Sequence, residues 1–375
     1  MINFDNAATS FPKPESVKSA VLTAFSKYGG NPGRSGHKLS MQTAMAVYNA
    51  RNICADFFGS RTENVIFTHN CTHALNFAIK GLLSDGGHVI ISDLEHNSVA
   101  RPVFSLSSKK DCSFDIAKTA ENDNITVYNF EKLIQSDTKA IVCTIASNVT
   151  GQILPFKKIG ELCRKHGICF IADGAQACGI IPLKLSDGIN ILCTSGHKGL
   201  YGTTGTGLMI TDGQFPLDTI IEGGTGSSSF SLEQPDFLPD RFESGTVNTV
   251  GVLSLGAGIS FVNKIGISRI LAHEQKLCDM FIKGISSIEG IKIYRKPNCN
   301  YVPIVSFNLH GFAPEELAKA LSDKGFALRG GLHCAPLAHK TIGSAPEGTV
   351  RFAPSFFNTE EQVYAIVKTL KQLKK

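Results

Sequence analysis

Two spacings of apolar residues alternate along the chain. Over 15–28, 40–58, 70–83 and 159–166 they recur every three or four positions, which predicts amphipathic helices. Short apolar runs at 65–68, 88–92, 140–145, 168–172, 189–193 and 208–211 predict strands instead. Such alternation predicts an α/β fold, a mostly parallel sheet covered by helices, in which ligands bind beyond the carboxyl ends of the strands. Thr72, His96, Asn148, Asp173, Gln176 and Lys198 each follow a predicted strand. They are therefore expected along one edge of one sheet.

The pattern changes after residue 211. The stretch 222–249, with Gly223, Gly224, Gly226 and three consecutive serines, has neither period, and a loop of that length within a domain is usually functional or disordered. Helical periodicity returns over 250–288, interrupted near Gly266. Beyond 291, strands at 304–309 and 327–328 mix with helices at 314–324 and 359–373, which predicts a smaller α+β part. We expect a large domain over 15–264 and a small one made of 1–14 and 265–375. The loop 29–37 carries Arg34 and His37; most loops of its composition are connectors, but two ionisable groups leave a binding role open.

Composition narrows the function classes. Of the 375 residues 42% are hydrophobic and 18% charged, as in ordinary globular proteins. The net charge of +5 comes from 37 basic and 32 acidic residues with interspersed signs, so neither nucleic acid nor an acidic membrane is an expected partner. No stretch approaches about 18 uninterrupted apolar residues, and the opening residues lack a basic segment followed by an apolar one. A cytoplasmic location is the expectation. Eleven cysteines without any Cys-x-x-Cys pair point to reduced, mostly buried thiols rather than disulfides or zinc. Cys334 differs, because Gly-Gly-Leu-His before it and Ala-Pro after it make a loop.

The candidate chemistry begins at Lys198. The apolar run 189–193 ends in Thr194, Ser195, Gly196, His197 and Lys198, a strand delivering a lysine to a glycine-lined pocket, where a Schiff-base lysine would belong. Taken alone, such a lysine is usually a solvated surface charge. At the 65–68 strand, Asn70 and Thr72 open a helix whose first turn either binds an anion or is simply capped by one of them. His69 and His73 are four apart without the glutamate of a metalloprotease motif, so no metal is expected. No Gly-x-Gly-x-x-Gly follows a strand and no Walker A sequence occurs, which argues against dinucleotides and nucleoside triphosphates.

Thr72, Glu95, His96, Ser147, Asn148, the run 172–176, Ser195, His197, Lys198, Gly245, Thr246 and the run from Arg329 to Cys334 together resemble the class V aminotransferase family of pyridoxal phosphate (PLP) enzymes. Within it the chain is most similar to the group II, SUF-type cysteine desulfurases and selenocysteine lyases. The resemblance implies the fold type I architecture of PLP-dependent transferases, with a large domain built on a mostly parallel mixed sheet. It implies that Lys198 holds PLP through its amine, that Asp173 pairs with the ring nitrogen, and that Gln176 and His96 meet the ring. Thr72, Ser195 and His197 would hold the phosphate, with Thr246 reaching it from the partner subunit of a homodimer. Asn148, Arg329 and Arg351 would bind the substrate, and Cys334 would be the nucleophile that takes its sulfur. Arg329 and His333 flank that thiol and could both favour its thiolate.

The function this implies is conversion of L-cysteine to L-alanine, with a persulfide on Cys334 passed to an acceptor. Cys71 and His73 beside Thr72, Asn97 beside His96, and Gly331 and Leu332 before His333 depart from the family pattern. They lie where ring, substrate side chain and thiol would meet. A selenocysteine lyase, another β-lyase or an aminotransferase therefore stays open. A non-catalytic sulfur carrier is disfavoured, because it needs none of these residues.

Overall fold

A computed structural model describes residues 1–33, 36–109 and 112–373. In chain order the strands are β1 (Ile2–Asn3), β2 (Val65–Thr68), β3 (Gly87–Ser92), β4 (Cys112–Ala117), β5 (Thr138–Thr144), β6 (Cys169–Asp173), β7 (Ile191–Ser195), β8 (Gly207–Thr211), β9 (Ile291–Ile293), β10 (Val305–Leu309), β11 (Phe326–Ala327) and β12 (Val350–Phe352). The helices are α1 (Glu15–Lys27), α2 (Lys38–Phe58), α3 (Cys71–Leu82), α4 (Asn97–Lys109), α5 (Asp123–Glu131), α6 (Phe156–His166), α7 (Thr249–Ile265), α8 (Ile267–Ile285), α9 (Pro314–Asp323), α10 (Pro336–Thr341) and α11 (Glu360–Gln372).

Seven strands form one sheet in the order β2-β8-β7-β6-β5-β3-β4. Its pairs from β4 through β7 are parallel, while β8 runs against both β7 and β2. The expected mostly parallel, mixed α/β sheet is thus present. The reversal has a local cause. Parallel neighbours need a crossover, usually a helix, and the chain between β7 and β8 is a loop that permits only an antiparallel return. β6, β7 and β8 are buried along their whole length, which is why they read as continuous apolar runs.

Large apolar clusters lie about this sheet, and a further one, around Phe4, Phe281, Phe307 and Phe352, fills the space between the antiparallel sheet β12-β10-β9 and helices α8, α9 and α11. The N-terminus joins this second body. Ile2 and Asn3 pair in parallel with Phe326 and Ala327.

Several elements escaped the sequence pattern. β4 is an edge strand whose residues are half-exposed, so its apolar positions alternate instead of running together. β12 has three residues and α5 has nine, too few to show a period. The helical stretch after 249 does break where its periodicity is interrupted, into two helices bent by 81° at Gly266, whose φ of 90° is left-handed and costs little only for glycine. No helix or strand occurs from 212 to 248, so the irregular stretch is longer than its composition suggested. Among the described residues no single helix is long and apolar enough to cross a membrane.

Candidate active site

A cleft of about 900 Å³ opens beyond the carboxyl ends of β5, β6 and β7. Its lining brings together Thr72, His96, Asn148, Asp173, Gln176, Ser195, His197, Lys198, Arg329 and Arg351, along with Cys71 and His333. Thr246 is elsewhere. It lines a separate hollow of about 680 Å³ with His69, His73, Ser244 and Gly245. Arg34 lies outside the described residues, and His37 serves as the N-cap of α2, its ring accepting from the Ser40 N–H at 3.3 Å.

Lys198 follows β7 and stands among Asp173, Arg329 and Arg351. Burial pushes its pKa down and the two guanidinium groups add to this, while Asp173 opposes it. A lysine so placed has more neutral amine than a solvated one. Asp173 ends β6 and is 3% exposed; one carboxylate oxygen accepts from the Ala175 N–H at 2.9 Å and the Cys71 thiol at 3.4 Å. Burial and that carboxylate hold the Cys71 thiol pKa far up, so Cys71 stays a thiol that donates to Asp173.

At the start of α3 the Asn70 side chain accepts from the His73 N–H at 2.9 Å. Asn70 is therefore the cap, and first-turn N–H groups at Cys71 and Thr72 remain without intrahelical partners beside the cleft. An anion suits that end. His69 and His73 stack at 4.9 Å, and among the described residues no group of three His, Cys, Asp or Glu could hold a metal ion.

His96 is fixed as one tautomer. The Ser98 N–H donates to its Nδ1 at 3.0 Å, so that nitrogen keeps its lone pair and the proton sits on Nε2. Burial lowers its pKa to about 4, although Asp173 pulls the other way, and the ring is neutral at pH 7. His197 is likewise lowered to about 4 by burial and by Lys198 and Lys13. Its carbonyl anchors the N-terminal arm, accepting from the Ser10 N–H at 3.1 Å and from Lys13 at 3.0 Å.

Cys334 is the one exposed cysteine of eleven, none of which forms a disulfide. Both it (φ 57°) and His333 (φ 48°) hold left-handed backbone, a conformation that costs of order 1–3 kcal/mol per residue and persists only where surroundings enforce it. Here they do: the Asn148 amide donates to the His333 carbonyl at 2.8 Å, and the Asn97 N–H to the Cys334 carbonyl at 2.8 Å. The Arg329 guanidinium lies 3.6 Å from the thiol sulfur. His333 behaves differently from expectation. With Nε2 donating to the Thr349 carbonyl at 3.0 Å and burial pushing its pKa to about 2, it is neutral and supplies no charge. Arg329 is left as the cation at the thiol.

Arg351, at the centre of β12, is 1% exposed. Its Nη2 is 2.7 Å from the Asp5 carboxylate and its Nη1 donates to the Asn148 carbonyl at 3.0 Å. Its Nε, the Asn148 Oδ1, the His197 Nδ1 and the His333 Nδ1 are buried with no partner among the described residues. Orphaned polar atoms of both signs around one cleft fit a polar, anionic cofactor and substrate. Sequence reasoning missed Asp5, Cys71 as a partner of Asp173, and Ser98; the only sign of Asp5 was its place in a polar, irregular opening.

Residues 2–366 match the family model Aminotransferase class-V. A protein named probable cysteine desulfurase from Methanothermobacter thermautotrophicus is 31% identical, the match covering 98% of this chain and 94% of that protein. A probable cysteine desulfurase 1 from Mycobacterium leprae is also 31% identical over the whole of this chain, which spans 62% of that longer relative. The apo structure of a cysteine desulfurase from Thermococcus onnurineus superposes with a TM-score of 0.93 at 30% identity, covering 99% of this chain and 94% of the other.

Proposed function

The chain belongs to the class V aminotransferase family, and on that premise we propose that it is a PLP-dependent cysteine desulfurase. It would convert L-cysteine to L-alanine and pass the sulfur from Cys334 to an acceptor. The observation that carries this reading is a strained, exposed thiol with a guanidinium at 3.6 Å, beside a cleft that holds a lysine and a buried aspartate.

Lys198, Asp173, Gln176, His96, Thr72, Ser195 and His197 would hold PLP, which when bound supplies an electron sink for the pair released at the substrate's α-carbon. The depressed pKa of Lys198 keeps its amine available as a nucleophile and proton carrier. Asp173, held in place by its bonds from the Ala175 N–H and the Cys71 thiol, would pair with the ring nitrogen. His96 holds its proton on Nε2 and its place by Ser98. Arg351 and Asn148 orient the substrate carboxylate, using the unpartnered Nε–H. The Cys334 thiolate attacks the substrate sulfur, so that an S–S bond forms as the C–S bond breaks and the carbon product takes up a proton in place of sulfur.

Three further points belong to this reading. A homodimer with Thr246 serving the partner's phosphate site is supported by its place in a hollow other than its own chain's cleft and by exposed apolar side chains on α1 and α2, including Leu22, Phe25 and Met45. The division into 15–264 and 1–14 with 265–375 is supported by the separate cluster around Phe4, Phe281 and Phe307. A cytoplasmic location is supported by eleven cysteines that form no disulfide.

The test is spectroscopic and chemical. Purified protein should show the visible absorbance of lysine-bound PLP, and Lys198→Ala should lose it; retention would end the proposal. Cys334→Ala should keep the absorbance yet lose sulfide release from cysteine by at least about a hundredfold, the loss expected when a nucleophile is removed. An aminotransferase would hardly respond to that substitution.

A further inference from the structure

Asp173 stands among thiols. Burial above all, with the Asp173 carboxylate among the further causes, raises the pKa of Cys71, Cys143, Cys178 and Cys193, so each remains a thiol. Of these four, Cys71 bonds the carboxylate: its Sγ lies 3.4 Å from Oδ1, the oxygen that also accepts from the Ala175 N–H at 2.9 Å. Both partners are buried, Cys71 at 5% and Asp173 at 3% exposed, and both line the cleft. Cys71 is also the first residue of α3, so its main-chain N–H belongs to the helix end that suits an anion. One residue thus joins the candidate phosphate cradle to the carboxylate expected at the ring nitrogen.

The kind of donor matters, because each hydrogen bond that a carboxylate accepts makes it a poorer acceptor for the next proton. A hydroxyl bonds a carboxylate strongly, at roughly 2.5–2.7 Å. A thiol is a weak donor. We infer that Cys71 is a positioning residue for the cofactor: its thiol steadies the Oδ1 side of Asp173 while drawing little on the acceptor strength the carboxylate offers the ring nitrogen, and so sets the strength of the electron sink. The Ala175 N–H holds the same oxygen independently, so removing the thiol changes the acceptor without freeing the side chain.

The test separates donation from packing. Cys71→Ala and Cys71→Val both lose the S–H, but alanine empties the space and valine fills it. Each variant and the wild type are loaded with PLP, and the visible absorbance of the lysine-bound cofactor is followed against pH. Without the thiol, Asp173 is a stronger acceptor and the ring nitrogen holds its proton more firmly; the protonated ring then withdraws electrons from the nitrogen that joins the cofactor to Lys198. That nitrogen becomes less basic. The colour change should therefore move to lower pH in both variants by about half a pH unit, roughly a threefold change in the equilibrium. A shift in one variant alone marks packing, and an upward shift or none contradicts the weak-donor role; each would overturn the inference. It rests on the PLP reading above: a wild type without this absorbance loses both, whereas identical titrations in all three proteins remove only the role of Cys71.

Discussion

Cys334 and Arg329 show how far single residues carry the chemistry. A strained backbone at 333 and 334 turns the thiol outward, and the guanidinium at 3.6 Å is the cation that can stabilise its thiolate once neutral His333 is set aside. Arg329→Met should therefore slow alkylation of Cys334 by iodoacetamide at pH 7 about threefold, a modest factor because the site is exposed and solvent screens the charge. Mass spectrometry against a Cys334→Ser blank reads this site alone; an unchanged rate would remove Arg329 from the role. Most residues of the cleft were legible in the sequence because each ends an apolar run, as Asp173 ends 168–172. Asp5 was not legible. Its partner is 346 positions away, and no local pattern encodes a contact of that range.

At the scale of elements, the start of α3 depends on how closely β8 approaches it. A Cβ on Gly207 would lie 2.6 Å from the carbonyl carbon of Asn70 and 2.7 Å from its Cα, both backbone atoms that cannot move aside. Gly207→Ala should displace the Asn70 cap and the free N–H groups after it, weakening PLP binding to the apoprotein about tenfold and lowering stability by about 1–3 kcal/mol. Gly29→Ala, where a Cβ meets nothing within 4 Å, is the control. If PLP titration gave the same dissociation constant for both, α3 would not be the phosphate cradle. Long or wholly buried elements such as α2 and β7 were plain in the hydrophobic pattern. β12, which carries Arg351, was not, because three residues show no period and its place is set by pairing with β10.

The whole molecule stores its buried titratable groups in opposite senses, and this sets its response to pH. Burial holds His333 at about 2 and His339 at about 4, so each is neutral when folded. For such a lowered pKa the stabilising contribution is present above the unfolded value near 6.5 and is lost as pH falls. Burial also raises two carboxyls to about 8: Glu95, which accepts from the Ser92 hydroxyl and the Thr144 N–H, and Glu274, which accepts from the Tyr201 hydroxyl at 3.3 Å. For these the sign reverses. Their contribution is complete below the unfolded value of about 4.5 and declines as pH rises to about 8, by about 1.4 kcal/mol per pH unit for each. Between pH 4.5 and 6.5 the two sets oppose one another, and of these four groups only the carboxyls act from 6.5 to 8. Thermal unfolding should therefore move to lower temperature over that upper interval in buffers of equal ionic strength. Glu274→Gln, which keeps an oxygen to accept from Tyr201 but cannot ionise, should reduce the slope by about half. A slope identical to that of the wild type would show that Glu274 is already ionised in the folded protein.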